Sequence, residues 1–330
     1  MHLLKYPSVV QNEIFNGMEF PDLFMMSFAS KNMKKLIKFS SQMQLFKNIN
    51  TIHYQDYNRG MFVCVPLDFF HDNVIQIAER DDTENDYFQL NVSGKLFDFR
   101  ISYEHNKYLP VASYQPDERE SLVASVHDYF LDFFGNSVEY YWHAYNYKTP
   151  IPQLENVSAE LHYRPGVDLD ALEMARFENF FLLSPVLKSI NIDIFNMMEP
   201  LNPESKFYQA DYMESYQRNP THPAISRYFQ GRQAFIKWWK SDTRDVIEFV
   251  NKWKSGEAFQ KLEHIKIENY NDEFPQNEIL DAIGAQHTDH AKKPSTHSLP
   301  KVLRLNHSVS FLWDTQKNDV KFNNSARCSF

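Results

Sequence analysis

The chain has 330 residues, 43% of them hydrophobic and 15% aromatic, with a formal net charge of -9. That length holds one large domain or two smaller ones, and 28 phenylalanines with 18 tyrosines argue against wholesale disorder. The acidic balance disfavours a general nucleic-acid binder, because phosphate contact needs a basic face.

The first forty residues carry more apolar surface than a segment of that size can bury alone. Roughly half of the residues from Met1 to Lys38 are apolar, and ~40 residues do not normally sustain a core without a disulfide, a metal or a partner. The pattern predicts three short helices. Pro7 suits a first turn, and Val10, Ile14 and Met18 follow at a four-residue step as one apolar stripe. Gly17 turns the chain. Pro21 restarts a helix, with Asp22 at its positive end. Leu23, Phe24, Met25, Met26 and Phe28 leave that second helix apolar nearly all round, so more than one of its sides must be covered. Ser30 can cap a third helix. Met33, Leu36 and Ile37 would face inward there, with Lys31, Lys34, Lys35 and Lys38 outward. An ordinary helical start to a larger domain and a docking module awaiting a partner both fit this pattern.

From Asn50 to about Pro116 the spacing changes to strands: Thr51 to Tyr57, Met61 to Val65, Val74 to Ala78, Tyr87 to Val92 and Leu96 to Ser102. Turn-forming clusters separate them, which predicts an antiparallel meander. The acidic run Asp81–Asp86 lacks the glycine and distant glutamate of a calcium loop and reads as a solvated turn.

From Asp117 onward helices alternate with short strands. Helices are expected at Ser121 to Phe134, at Leu172 to Leu183 and around Val246, Phe249, Val250 and Trp253. Strands are expected at Val138 to Trp142, Leu187 to Ile194 and Leu262 to Ile267. A helix, a stop and a short alternating strand make the unit of leucine-rich-like solenoids, although the spacing is irregular and an asparagine ladder is missing. The cluster Phe235-Ile236-Lys237-Trp238-Trp239-Lys240 reads as a helix packing its tryptophans inward rather than a base-stacking platform, since Asp242 and Asp245 follow at once. The residues after Asp314 read as a loose tail.

Little in the chain points to chemistry. The eight glycines are scattered, leaving no dinucleotide fingerprint, phosphate loop or nucleophile elbow. Cys64 and Cys328 are too few for a disulfide framework or a four-cysteine zinc site. Cys64, within Phe62-Val63-Cys64-Val65, reads as an inert core thiol. His287, Asp289, His290 and His297 could offer metal ligands but show no fourth partner, so solvated loop histidines are expected. No cofactor, metal or catalytic residue is expected. Lys5 and Glu13 break any signal-peptide core, and no apolar run approaches the ~18 residues of a membrane span. The expected home is the cytosol or nucleus.

Two resemblances organise these readings. Residues 4–38 resemble an F-box of the nematode type. Leu4-Lys5-Tyr6-Pro7 stands where that family has leucine–lysine–leucine–proline, and Val9-Val10 with Glu13-Ile14 supply its hydrophobic pair, glutamate and isoleucine. Gly17-Met18 takes the place of its asparagine–methionine turn, and Met26-Ser27-Phe28-Ala29-Ser30-Lys31 that of its second helix. Lys35-Leu36-Ile37-Lys38 matches the closing motif in full. Downstream, Phe249-Val250-Asn251-Lys252-Trp253-Lys254-Ser255-Gly256 followed by Leu262-Glu263-His264-Ile265 is similar to the signature of the F-box-associated domain of the second type. Ile279-Leu280-Asp281-Ala282-Ile283, Lys292-Lys293-Pro294 and Ser310-Phe311-Leu312-Trp313 follow in that domain's order.

Spacing and resemblance together give an α+β chain: an F-box at residues 1–42, antiparallel strands at 50–116, an irregular leucine-rich-like α/β F-box-associated domain at 117–315, and a tail at 316–330. The resemblance implies a non-enzymatic substrate adaptor of an SCF-type (cullin–RING) ubiquitin ligase. Leu4, Pro7, Val10, Ile14, Leu23 and Met26 would dock a Skp-type adaptor, and through it a cullin, while the downstream domain holds a protein target. No nucleic acid or membrane partner is expected. A scaffold without ligase partners is kept open by Tyr6, Ser8 and Glu19, which depart from the family pattern, and an unfamiliar hydrolase by the many His, Asp and Glu residues.

Overall fold

A computed structural model describes residues 3–39, 49–57, 60–67, 70–81, 83–84, 86–104, 107–135, 137–197, 199–217, 224–238, 242–269, 276–283, 308–314 and 319–323. The protein is a mixed α/β structure with two compact units. Met1–Asn146 with Ile151–Ala159 form the first, and Tyr147–Pro150 with Glu160–Phe330 the second.

The first unit opens with a 3-10 turn, Leu3–Lys5, and three helices: α1 (Ser8–Asn16), α2 (Phe20–Ala29) and α3 (Lys31–Phe39). The expected cap of α3 is present, with the Ser30 hydroxyl accepting from the Met33 amide at 3.1 Å. Strands β1 (Thr51–Tyr57), β2 (Gly60–Leu67), β3 (Phe70–Glu79), β4 (Phe88–Val92), β5 (Lys95–Glu104) and β6 (Lys107–Tyr114) follow. Helix α4 (Arg119–Phe134) then leads to β7 (Glu139–Ala144).

The sheet order is β7-β1-β2-β3-β6-β5-β4. The expected meander is thus corrected where β3 and β6 pair parallel; β1 also pairs parallel with β7, which lies beyond the meander. Strand β6 escaped the periodicity reading because Pro110 interrupts it, and a proline cannot donate to a ladder. Pro110 faces Ile101 of β5, while the pairing to β3 begins one residue later, at Val111. The missing N–H therefore costs no bond on that side.

Helices α2 and α4 share an aromatic core on one face of this sheet. Phe24 stacks on Phe130 at 4.7 Å and lies 5.3 Å from Phe133. Phe28 contacts Phe99 of β5 and Tyr129 of α4. Beneath them Tyr54 of β1 stacks on Trp142 of β7. Aromatic pairs of this kind add about 0.5–1.5 kcal/mol each beyond the area that they bury.

The second unit holds β8 (Val157–Leu169, of which its part begins at Glu160), α5 (Ala171–Leu183), β9 (Ser189–Met197), a 3-10 turn at Lys206–Gln209 and β10 (Tyr212–Gln217). After these come α6 (Ile225–Tyr228), β11 (Gln233–Trp238), α7 (Thr243–Ser255), β12 (His264–Asn269), α8 (Gln276–Ile283), β13 (Ser308–Asp314) and β14 (Asp319–Asn323). Strands β8 to β12 are parallel, and each pairs with the next one in the chain. A helical segment joins each pair, so the strands advance in one direction without a crossover. Strands β13 and β14 close that edge antiparallel.

Three further expectations change here. The Phe235–Trp238 segment is part of strand β11, not a helix: Ala234 and Ile236 are buried while Phe235 and Lys237 alternate outward, a period of two. Trp239 and Lys240 lie outside the described residues. Strand β8 was hidden by Arg164-Pro165-Gly166, where the pairing to β9 jumps from Tyr163 to Val167 and Gly166 takes a φ of 60°. The segment read as a tail contributes β14.

The helices of this unit end as their sequences dictate. Asp170 caps α5 by accepting from the Glu173 amide, and Asp242 caps α7 by accepting from that of Arg244. Gly256 stops α7 in the left-handed conformation, with a φ of 71°. Among the described residues, no helix is long and apolar enough to cross a membrane.

Candidate protein-docking surfaces

The N-terminal helices are anchored by their own chain on one side. The Gln11 amide donates to the carbonyls of Leu3 and Tyr6 at 3.2 and 2.8 Å, which folds the 3-10 turn containing Leu4 against α1. In α2, Leu23, Phe24, Ser27 and Phe28 are buried. The Tyr129 hydroxyl donates to Ser27 at 2.7 Å. Lys34 of α3 does not face outward as expected. Its ammonium lies 3.6 Å from the Tyr129 ring centroid and pairs with Asp132. Burial lowers its pKa, and the Asp132 carboxylate opposes that shift. Lys38 donates to the Asp132 carbonyl at 2.9 Å.

The opposite side is open. Val9 is 70% and Val10 41% exposed, and Tyr6 and Pro7 are exposed beside them, whereas Phe15 of the same helix is fully buried. Ile14 and Met26 are half-buried. Leu23, at 2% exposure, packs within its own chain and supports this surface from beneath. A cavity of about 300 Å³ opens beside α2. Met18, Asp22, Met25 and Met26 line one side of it, and Ile101, Tyr108 and Pro110 of the β5–β6 hairpin the other.

A second surface is the outward face of β8–β12 in the second unit. The register aligns Tyr212, Gln233 and His264 in one column, and Asn191, Glu214, Phe235 and Lys266 in the next. Phe235 touches Tyr212 on one side and His264 on the other, at ring separations of 5.6 and 5.2 Å. Around this aromatic row runs a polar ladder. Arg164 donates to Asn191 at 2.6 Å, Asn191 donates to Glu214 at 3.0 Å, and Lys237 lies between Glu214 and Glu268. Paired charges around these half-buried aromatics suit a peptide-holding face. The sequence reading left this face unidentified, because β10 and β11 were not recognised as strands.

A third feature lies on the outward face of the first unit. His53 Nδ1 sits 2.7 Å from His143 Nε2, with Tyr141 stacked beside them, and Tyr57 lies parallel to Tyr145 at 4.5 Å. The periodicity of β1 and β7 was legible, but their parallel pairing, which creates these stacks, was not.

Burial pushes the Cys64 thiol up to about 12, and the residue is fully buried, as an inert core cysteine should be. His287, Asp289, His290 and His297 lie outside the described residues. No family model, no curated protein and no solved structure matches this chain.

Proposed function

We propose that the chain is a substrate-recruiting adaptor of an SCF-type (cullin–RING) ubiquitin ligase. In this reading α1 to α3 form the F-box. Pro7, Val10, Ile14 and Met26 belong to the surface that docks a Skp-type adaptor, with Leu23 as its internal support; Leu4, whose side chain lies outside the described residues, joins them on its motif alone. Strands β8 to β12 belong to an F-box-associated domain of leucine-rich-like build, whose outward face takes the protein target. The catalytic groups belong to the partner enzymes. The chain holds a target lysine near a charged conjugating enzyme and so raises its effective concentration.

The observation that carries the reading is the exposure of Val9 and Val10 on a helix whose other side is sealed. Contiguous exposed apolar patches mark interaction sites, and Tyr6, Val9 and Val10 supply exposed apolar side chains for one. The ordered sequence motifs of residues 4–38 support it independently. Val10→Asp is expected to abolish co-purification of the full chain with a Skp-type adaptor, by a loss of about tenfold or more in affinity. Val10 is 41% exposed, and the far-UV spectrum and unfolding midpoint of the variant check that the chain remains folded. Undiminished co-purification would overturn the assignment.

A scaffold without ligase partners is the second reading. It is favoured by how firmly α2 and α3 are built onto α4 through Phe24 and the Lys34–Asp132 pair. Under that reading no Skp-type adaptor binds the wild-type chain at all.

A further inference from the structure

The methionine-lined cavity beside α2 has a chemistry of its own. Its walls are apolar except for one charge, Asp22. Methionine side chains are flexible and polarisable, so a pocket built from Met18, Met25 and Met26 can mould itself to aliphatic groups of differing shape. At about 300 Å³ it lies at the small end of ligand sites, large enough for an anchoring side chain. The apolar surface continues past the pocket mouth, where Ile101, Tyr103 and Tyr108 of the β5–β6 hairpin are exposed and the two tyrosine rings lie 4.9 Å apart. A ligand that uses both the pocket and this shelf is an extended segment rather than a small compact molecule.

Charge completes the description. Asp22 is exposed and makes no ion pair or side-chain hydrogen bond among the described residues, and the same holds for Glu19 and Glu13 at the ends of α2 and α1. Four carboxylates elsewhere in this unit are paired: Asp132 with Lys34, Asp98 with Arg80, Glu84 with Arg100 and Asp56 with Arg119. Asp22 is therefore an uncommitted negative charge in the wall of an otherwise apolar pocket.

We propose that this pocket binds a basic–apolar peptide segment of a protein partner, its aliphatic or methionine anchor seated among Met18, Met25 and Met26 and a neighbouring Lys or Arg paired with Asp22. A charge-assisted hydrogen bond at the rim of an apolar pocket gives specificity as well as affinity. The inference does not rest on the ligase reading. Met26 is common to both surfaces, but Val10→Asp tests the first and leaves the pocket intact, while Asp22→Lys tests the second and leaves Val10 intact.

The experiment is selection of short random peptides displayed on phage against the immobilised full chain. Enriched peptides are then titrated, by fluorescence anisotropy, against the wild type, Asp22→Lys and Met25→Glu. The expected consensus is an aliphatic or Met residue with Lys or Arg beside it or two residues away, the spacing that an extended segment puts on one side. Binding should weaken about tenfold in Asp22→Lys and be lost in Met25→Glu. Replacing the peptide's basic residue by Glu should restore binding to Asp22→Lys, a reversal that misfolding of a variant cannot produce. The proposal is overturned if no peptide is enriched, if enriched peptides are acidic or lack an anchor, or if they bind Asp22→Lys as tightly as wild type. It is also overturned if the full chain dimerises through this pocket, seen as a concentration-dependent dimer that Asp22→Lys abolishes.

Discussion

At the residue scale, His127 shows how one side chain's state follows from its partners. Its Nε2 lies 2.8 Å from the Glu155 carbonyl, which can only accept, so that nitrogen carries the proton. Its Nδ1 then accepts from the Tyr54 hydroxyl at 2.8 Å. A neutral imidazole satisfies both bonds. Burial lowers the His127 pKa from its ordinary 6.5, and the backbone bond to Glu155 with the nearby Asp128 and Glu155 carboxylates only partly offsets this. Because the folded pKa is depressed, the unfolded chain takes up the proton first as pH falls. The stabilisation is therefore present above about pH 6.5 and is lost as pH drops through the folded value. Urea midpoints measured at about pH 7.5 and about pH 5.5 should fall further for the wild type than for His127→Gln. Equal decreases would show that His127 does not titrate with folding. None of this was legible in the sequence, where His127 is one histidine among thirteen on a helix recognised only for its apolar stripe.

At the element scale, strong periodicity was read correctly and interrupted periodicity was not. Strands β1, β4 and β5 and helices α4, α5 and α7 carry alternation or helical stripes bounded by turn residues or caps, so local chemistry and tertiary packing agree on them, whereas β2 runs on through Pro66 and β3 takes in His71-Asp72-Asn73, a cluster that the sequence suggests as a turn. Strands β6 and β8 contain prolines at positions where the ladder happens to need no donor or where the chain bulges, and only the partner strands reveal that. Strand β11 carries bulky aromatics that suit a helix or a strand, and its alternation decides for the strand. The turn into β11 shows a tight constraint. Gly231 is buried, and a Cβ there would run into the Ala210 carbonyl oxygen and the Phe229 ring. The carbonyl belongs to backbone beside β10 and cannot swing aside as a side-chain tip could. Gly231→Ala is expected to destabilise the chain by about 3 kcal/mol, read as a lower urea midpoint, and a midpoint unchanged from wild type would contradict this packing.

At the scale of the whole molecule, each unit closes its own aromatic core and presents surface that the core does not need. In the first unit that surface is α1 with the methionine pocket of α2. In the second it is the outward face of β8–β12. The sequence disclosed the apolar surplus of the opening helices but not its division. Leu23 and Phe24 go to the unit's own core, Val9 and Val10 to solvent, and Met25 and Met26 to the pocket. Residues three and four apart on a helix share a face, yet the pattern alone cannot say which face another element will cover. The outward face of the second unit was illegible for a different reason. Its columns form only when strands distant in sequence are set in register, as Tyr212, Gln233 and His264 are.

We propose that a Skp-type adaptor sits on the open side of α1. Amide hydrogen exchange of the full chain, with and without a purified adaptor, tests it most directly. The account predicts new protection confined to Ser8–Asn16 and its neighbours in α2, with β9 to β12 unchanged. Exchange in α1 that is identical in the two samples, at adaptor concentrations that saturate known F-box proteins, would contradict it.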